Sequence, residues 1–315
     1  MPNIFSKIVD PRYPATAIGL EKGMASVVQL QKGRGNSCTV ARAATFDLSD
    51  SIVQPSFDDN NLENPAQLAN ILNELVSSAG LLKQTRWSLS LPEATTRTLV
   101  FTIETQPQSG SELQDILRWK MERGFGATLE ELSVSKERLE KDASGRDRYM
   151  AVAIRREVLA EYEALISSLG WRVGLILPRH LGESQWLVRN GSNGDSLLMS
   201  GSDSGFTAVI LRDKHPLIVR TVSCDKHECE DEFYRLLLFY RDRRSGDGDP
   251  GQHALSRMMV IGDGLRRERV EEIVSETMGE SLHPMAPHDL GLTLPGPQLS
   301  FDAIAAPAGL ATLSF

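Results

Sequence analysis

Cysteine is scarce in this chain: Cys38, Cys224 and Cys229 are the only three among 315 residues. So few cannot form a disulfide framework, and an odd number favours a reducing compartment. Long apolar runs are missing as well. No stretch approaches the roughly 18 consecutive apolar residues of a membrane-spanning helix. The segment Met1 to Asp10 has a single Lys and no sustained apolar core, so it does not read as a secretory signal. A cytoplasmic protein is expected, reaching a membrane only through partners. Positive charge is in deficit, with 34 Lys and Arg against 42 Asp and Glu and a formal net charge of -8. Nucleic-acid binding is therefore not expected, because phosphate backbones are held by clustered Lys and Arg. The short basic runs at Arg266-Arg267 and Arg241 to Arg244 are followed or interrupted by acids, as on a solvated helix face. No nucleophile elbow, Walker loop or zinc-protease motif occurs, and no Ser-His-Asp arrangement can be argued.

What is present is an ordinary globular composition, 41% hydrophobic and 24% charged, in a chain too long for one hydrophobic core. The apolar period alternates between that of strands and that of helices. Ala15 to Leu20, Ala25 to Gln31 and Thr39 to Phe46 read as a three-strand meander. Asn64-Pro65 caps a helix whose stripe is Leu68, Ile71, Leu72, Leu75 and Val76, stopped at Gly80. Strands at Trp87 to Leu91 and Thr98 to Glu104 follow. Ser111 and Gln114 have the spacing of a capping box for a helix to Gly124. Strands near 132–138 and 148–154 flank a polar tip at 142–147, and a helix over 155–169 ends at Gly170. Trp171 to Leu177 is a strand, and a short helix after Pro178 leads to a boundary at Asn190 to Gly194.

The second half restarts with strands at 196–200, 207–212 and 217–223 and a helix from Asp231 to Arg243. A Gly/Asp-rich loop at 245–252, a strand at 257–261, a helix to Gly279, a strand near Leu282 and a helix from Asp302 to Leu313 complete the chain. Three strands, helix, strand, helix thus occurs twice. Two such units suggest sheets facing a cleft, a common ligand site. Trp171 and Phe239 are expected in cores, and Trp119 is expected half-buried.

Three turns could carry chemistry. Around Glu21, Gly23, Met24, Ala25 and Ser26, turn amides could form a nest for phosphate beside an acid. Gly201, Ser202, Asp203, Ser204 and Gly205 form the matching turn of the second half, with small residues suited to a phosphate loop or to any tight hairpin. Gly262, Asp263 and Gly264 join a strand to a helix whose free N–H groups could meet an anion. Cys224 and Cys229 flank a possible metal segment, but a structural zinc site needs two such pairs, no second Cys/His pair occurs, and His215 and His253 are lone candidates. The two cysteines are expected to pack as small hydrophobes. Gly246 to Pro250 hints at calcium but lacks the distal Glu of a helix-loop-helix site.

The order of these turns resembles that of the actin, Hsp70 and sugar-kinase superfamily, and within it the PilM family of type IV pilus assembly, relatives of FtsA. The strings SELQDILRWKMERGF (111–125), MAVAIRREVLAEYEALISSLGW (150–171), EFYRLLLFYR (232–241) and APAGLATL (306–313) carry the likeness. The resemblance implies a two-lobed, actin-like α/β fold with duplicated ribonuclease H-like units. The first lobe would span 1–194 with an inserted subdomain at about 86–155, and the second 195–315 with the adenosine-side glycine turn. It implies ATP, with or without Mg²⁺, as the cofactor, and as partner the cytoplasmic N-terminal segment of a PilN-like inner-membrane protein. The phosphate loops depart from the family pattern. Glu21 stands where an Asp is usual, the loop at 23–27 is short and without Lys, and Ser200-Gly201 replaces Asp-x-Gly. Loss of a carboxylate that positions Mg²⁺ cripples hydrolysis before binding, so the expectation is weak or vestigial nucleotide binding and no catalytic residue. The alternatives are a genuine ATPase or kinase of the superfamily, or the cytoplasmic half of a GspL-like secretion protein.

Overall fold

The computed structural model describes residues 13–142, 144–191, 194–202, 204–246 and 254–315. The expected signal-free start at 1–10, Asp203, His253 and most of the 245–252 loop lie outside the described residues. Strands β1 (Thr16–Glu21), β2 (Met24–Lys32) and β3 (Cys38–Asp47) form the first meander. Helix α1 (Pro65–Ser78) is capped by Asn64, whose side chain accepts the Gln67 amide, and Pro65 fills the first turn where no N–H partner is needed. Strand β4 (Arg86–Leu91) leads through a 3-10 turn (Glu93–Thr95) into β5 (Arg97–Thr102).

Helix α2 (Gly110–Phe125) has its cap two residues before the expected one. Ser109 caps it by accepting the Glu112 amide, while the Glu112 carboxylate accepts from the Gln108 amide. The same chemistry is used in a different register, because Ser-Gly-Ser-Glu offers two candidate caps. Strands β6 (Leu132–Leu139) and β7 (Arg148–Arg155), helix α3 (Arg156–Ser168), strand β8 (Arg172–Pro178) and helix α4 (Arg179–Arg189) follow. The second half contains β9 (Asp195–Ser202), β10 (Gly205–Arg212), β11 (His215–Ser223), α5 (Lys226–Gly246), β12 (Leu255–Ile261), α6 (Arg267–Met278), β13 (Leu292–Thr293) and α7 (Phe301–Ala311).

The first sheet has the order β13-β3-β2-β1-β4-β8, with the meander antiparallel and β4 and β8 parallel to β1. The second repeats it as β11-β10-β9-β12, with β12 parallel to β9. The duplication read from the sequence is therefore a duplication of strand order. Between β4 and α3 the chain inserts a third sheet, β5-β7-β6, covered by α2. Strand β4, expected at the edge of the insertion, is a strand of the first sheet. The strand expected near Leu282 is reduced to a bridge between Met258 and Pro284.

Four apolar cores follow. Trp87, Tyr162 and Trp171 anchor the one beneath α1 and α3, with the two indoles 5.4 Å apart. Phe206, Phe233 and Tyr240 anchor the core beneath α5 and α6. Phe125 and Tyr149 fill the insertion. The fourth core lies between the two sheets and contains α4 and α7. These two helices touch backbone to backbone: a Cβ on Gly182 would stand 2.6 Å from the Ala306 carbonyl oxygen. The C-terminal helix, expected in the second lobe, thus packs on β1 and β2, and β13 pairs with β3 of the first sheet. Phe239, expected in a core, is exposed on α5, and Trp119 is 56% exposed with Arg123 over its ring. Cys224 and Cys229 do pack against the second-lobe core, but joined by a disulfide, which the cysteine count did not anticipate. Cys38 is free and buried.

Candidate site in the cleft between the lobes

The first candidate turn is shorter than a phosphate loop. Glu21 pairs with Met24, so Lys22-Gly23 alone closes the hairpin, and Gly23 takes the φ of +79° that such a tight turn demands. Met24, Ala25 and Ser26 lie in β2. Ala25 belongs to the first-lobe core, and Ser26 is buried beside Gly19. Of the residues read as a nest, Glu21 is the one that reaches the cleft cluster.

The second and third turns come together. Gly201 and Ser202 end β9, and Ser204 and Gly205 open β10, with the Ser202 hydroxyl donating to the Gly205 carbonyl at 3.3 Å. A Cβ on Gly201 would lie 2.5 Å from the Gly264 nitrogen, so only glycine permits this approach. Gly262 has φ +79°, its amide donates to Asp302 at 3.2 Å, and a Cβ there would come 3.1 Å from Arg179 Nη2. Asp263 is exposed beside it. Helix α6 starts at Arg267, whose guanidinium pairs with Asp302.

Arg179 connects these turns to Glu21. It opens α4, and the position of that helix between the sheets buries its charged first turn. Arg179 Nε donates to the fully buried Glu183 at 2.7 Å, and Nη1 lies 3.6 Å from Glu21. The neighbouring His180 Nδ1 is 2.8 Å from the Glu93 carboxylate. Glu93 also accepts from Thr207 at 3.0 Å and Thr221 at 3.3 Å, so a first-lobe carboxylate is held by the second-lobe sheet.

The protonation states follow from burial and pairing. Burial pushes Glu21 up to about 8 against the opposing pull of Arg179, with Glu183 and Glu93 adding to the rise, although a fifth of its side chain remains exposed. Burial likewise raises Glu183, opposed by Arg179 and by the Ser200 hydroxyl. Glu183 Oε2 nonetheless has no partner of good hydrogen-bond geometry, nor has His180 Nε2. Ser200 therefore acts on Glu183 by proximity more than by a formed bond. Burial would raise Glu93 too, but His180 and the bonds from His180 and Thr207 outweigh it and hold Glu93 low. Arg179 is desolvated, yet its carboxylates keep it firmly charged.

Sequence reading missed Glu93, Arg179, His180 and Glu183. The i,i+4 spacing of Arg179 and Glu183 was a visible signal, but on an isolated helix it describes a surface pair. A nucleotide phosphate with its cation fits this cluster poorly. Arg179 already supplies positive charge between the turns, and the first turn has no further amides to offer. Among the described residues no group of three or more His, Cys, Asp or Glu is arranged to hold a metal ion, and no helix is long and apolar enough to cross a membrane.

No protein-family model and no curated protein matches the chain. Solved structures do. The chain is similar to one in a PilM-PilN type IV pilus biogenesis complex, at 16% identity and a TM-score of 0.73 over 96% of this chain and 99% of that one. It is also similar, at TM-scores below 0.5, to two others. One is the cytoplasmic domain of EpsL, an inner-membrane component of the Vibrio cholerae type II secretion system (12% identity, TM-score 0.49, 95% of each chain). The other is a Bacteroides thetaiotaomicron protein with an actin-like ATPase fold (11% identity, TM-score 0.48, 99% of each chain). The duplicated sheets, the helix pair between them and the converging turns are those of a two-lobed actin-like fold.

Proposed function

We propose that this chain is a non-catalytic, or barely catalytic, assembly platform of a type IV pilus or related secretion machine. Its cleft binds ATP weakly, and its first lobe docks the cytoplasmic N-terminal segment of a PilN-like inner-membrane protein. The observation that carries the loss of turnover is Arg179, a permanent cation bonded to Glu183 and close to Glu21 at the meeting point of all three turns. Electrostatic stabilisation of a transferring phosphoryl group needs a cation and carboxylates free to engage it. Here the carboxylates are engaged by the chain itself, and Glu21 holds its proton near neutral pH. The partner reading rests on the likeness in fold to a chain from a PilM-PilN complex. An extended peptide would gain affinity from backbone pairing and a few side-chain pockets.

The test is calorimetric titration of a synthetic PilN-like N-terminal peptide, with and without Mg-ATP, alongside phosphate release. Peptide binding without steady-state phosphate release is expected. Absence of peptide binding in both conditions would overturn the docking role.

A second reading, a genuine ATPase, is favoured by one observation: a cleft carboxyl pushed up to about 8 can exchange its proton within reach of neutral pH. Phosphate release that exceeds that of Glu21→Gln would establish it.

A further inference from the structure

The disulfide between Cys224 and Cys229 spans the junction of β11 and α5. Its two residues differ in burial: Cys229 is buried in the second-lobe core with Phe206 and Phe233, whereas Cys224, packed at the edge of that core, is partly exposed. Cys229 lies in the first turn of α5, where its amide and that of Glu228 donate to the Asp225 carbonyl at 3.0 and 2.8 Å. That position favours a departing thiolate through the positive end of the helix.

The bond is also continuous with the cleft. The Cys224 amide donates to the Ser204 carbonyl at 3.2 Å, tying the disulfide to the turn between β9 and β10. At Gly205 a Cβ would stand 3.1 Å from the Cys224 nitrogen, and the Gly205 carbonyl oxygen lies 3.0 Å from where a Cβ on Gly264 would be. A backbone path thus runs from the disulfide through Ser204 and Gly205 to Gly264 and Gly201. The loop it closes is short, so it constrains the unfolded chain little compared with a long-range bridge, and its effect is local.

We propose that Cys224 and Cys229 are a reversible thiol–disulfide site whose state sets the order of Ser204 and Gly205 at the start of β10 and of the cleft behind them. A low-molecular-weight thiolate attacks the sulfur of the less buried Cys224, the S–S bond breaks, and Cys229 leaves with the electron pair and takes a proton. A second thiol attacks the mixed disulfide and releases Cys224. Two thiols are consumed, one small-molecule disulfide forms, and their two protons end on the two cysteines. The reverse reaction uses a small-molecule disulfide such as oxidised glutathione as oxidant.

The experiment holds the full chain, natively folded, in glutathione buffers from fully reduced to fully oxidised. Alkylation with mass spectrometry counts the free thiols, and hydrogen exchange follows the amides of 201–205, 224–229 and 262–264. The expected result is two alkylatable thiols in reducing buffer and none in oxidising buffer, with Cys38 protected throughout. Exchange at 201–205 and 224–229 should be roughly tenfold faster in the reduced form, as for a local opening. Cys224→Ser/Cys229→Ser should match the reduced chain, which supplies the same comparison if the variant folds poorly. A pair that is reduced only when the chain unfolds, a pair that stays dithiol in every buffer, or reduction without change at 201–205 would each overturn the proposal. None of these readouts depends on nucleotide or peptide binding.

Discussion

Arg179 and Arg155 each bind two carboxylates, one in the cleft between the lobes and the other at the root of the inserted sheet. Arg179 is almost wholly buried, with Glu183 beside it completely so. Arg155, at the end of β7, holds Asp58 at 2.8 Å and Glu131 at 2.8 Å, and both acids are about half exposed. Arg97, at the start of β5, holds the other oxygen of Asp58 at 3.1 Å. Both guanidiniums lie over the Phe57 ring, at 4.1 and 5.7 Å from its centroid. The two chain crossings into the insertion are therefore clamped on one aromatic plug, with water on the outside. The same residue type does two jobs. In the clamp the ion pairs orient and the ring supplies burial, and salt should screen the pairs. In the cleft the ions themselves fill the space, and the loss of one leaves its partners buried without compensation.

The sharpest way to separate the two is Arg179→Met. Removing the cation strands Glu183, and unfolding in denaturant should show a loss of about 3–5 kcal/mol. Adding Glu183→Gln to that variant should restore a large part of it. In the clamp the comparable loss should come from the ring: Phe57→Ala should cost about 3 kcal/mol by the same measurement. Raised salt should weaken the contribution of Arg155, seen as a smaller difference between Arg155→Met and the parent, and leave the Arg179→Met difference intact.

The cleft should also respond to pH. Glu21 rises from 4.5 to about 8 on folding, so between those values the folded chain keeps a proton that the unfolded chain has lost. Its stabilising contribution is whole below about 4.5, declines by at most about 1.4 kcal/mol per pH unit, and is gone above about 8. Glu93, held low, works in the opposite sense and loses its contribution only as pH falls through its depressed value. Glu21→Gln should therefore flatten the stability profile between pH 5 and 8, and by pH 8 the variant should be the more stable by roughly 1 kcal/mol or more. The smallest effect belongs to a residue in neither cluster. Trp119→Ser should leave the unfolding midpoint almost unchanged, since its ring already faces solvent. A loss of peptide binding in that variant would place the docking surface on α2.

Much of this fold was legible because local chemistry and tertiary role coincide. Asn64-Pro65 could hardly do anything but start a helix, and the Gly23, Gly201 and Gly262 turns stand at the expected strand ends. What was not legible depends on contacts distant in sequence. Glu93 meets His180 and Thr207 across 87 and 114 residues, and nothing in the local pattern marks it. Arg179 and Glu183 carry only the spacing of an ordinary helix pair, and their burial comes from two sheets and α7 closing over α4. Ser109 and Ser111 both precede a Glu or Gln at cap spacing, and only the backbone distinguishes them. Phe239 sat in apolar company along the sequence but faces outward on α5.

The direct test of an internally compensated cleft is the unfolding midpoint of the native chain at about 1 mM Mg-ATP. A ligand with Kd near 1 mM stabilises by only about 0.4 kcal/mol at that concentration, a shift of roughly 1 °C. That is the expected result. A Kd of about 10 μM would instead give about 2.7 kcal/mol and a shift of several degrees. Such a shift, accompanied by phosphate release, would contradict the assignment of Arg179 as the cation of the site.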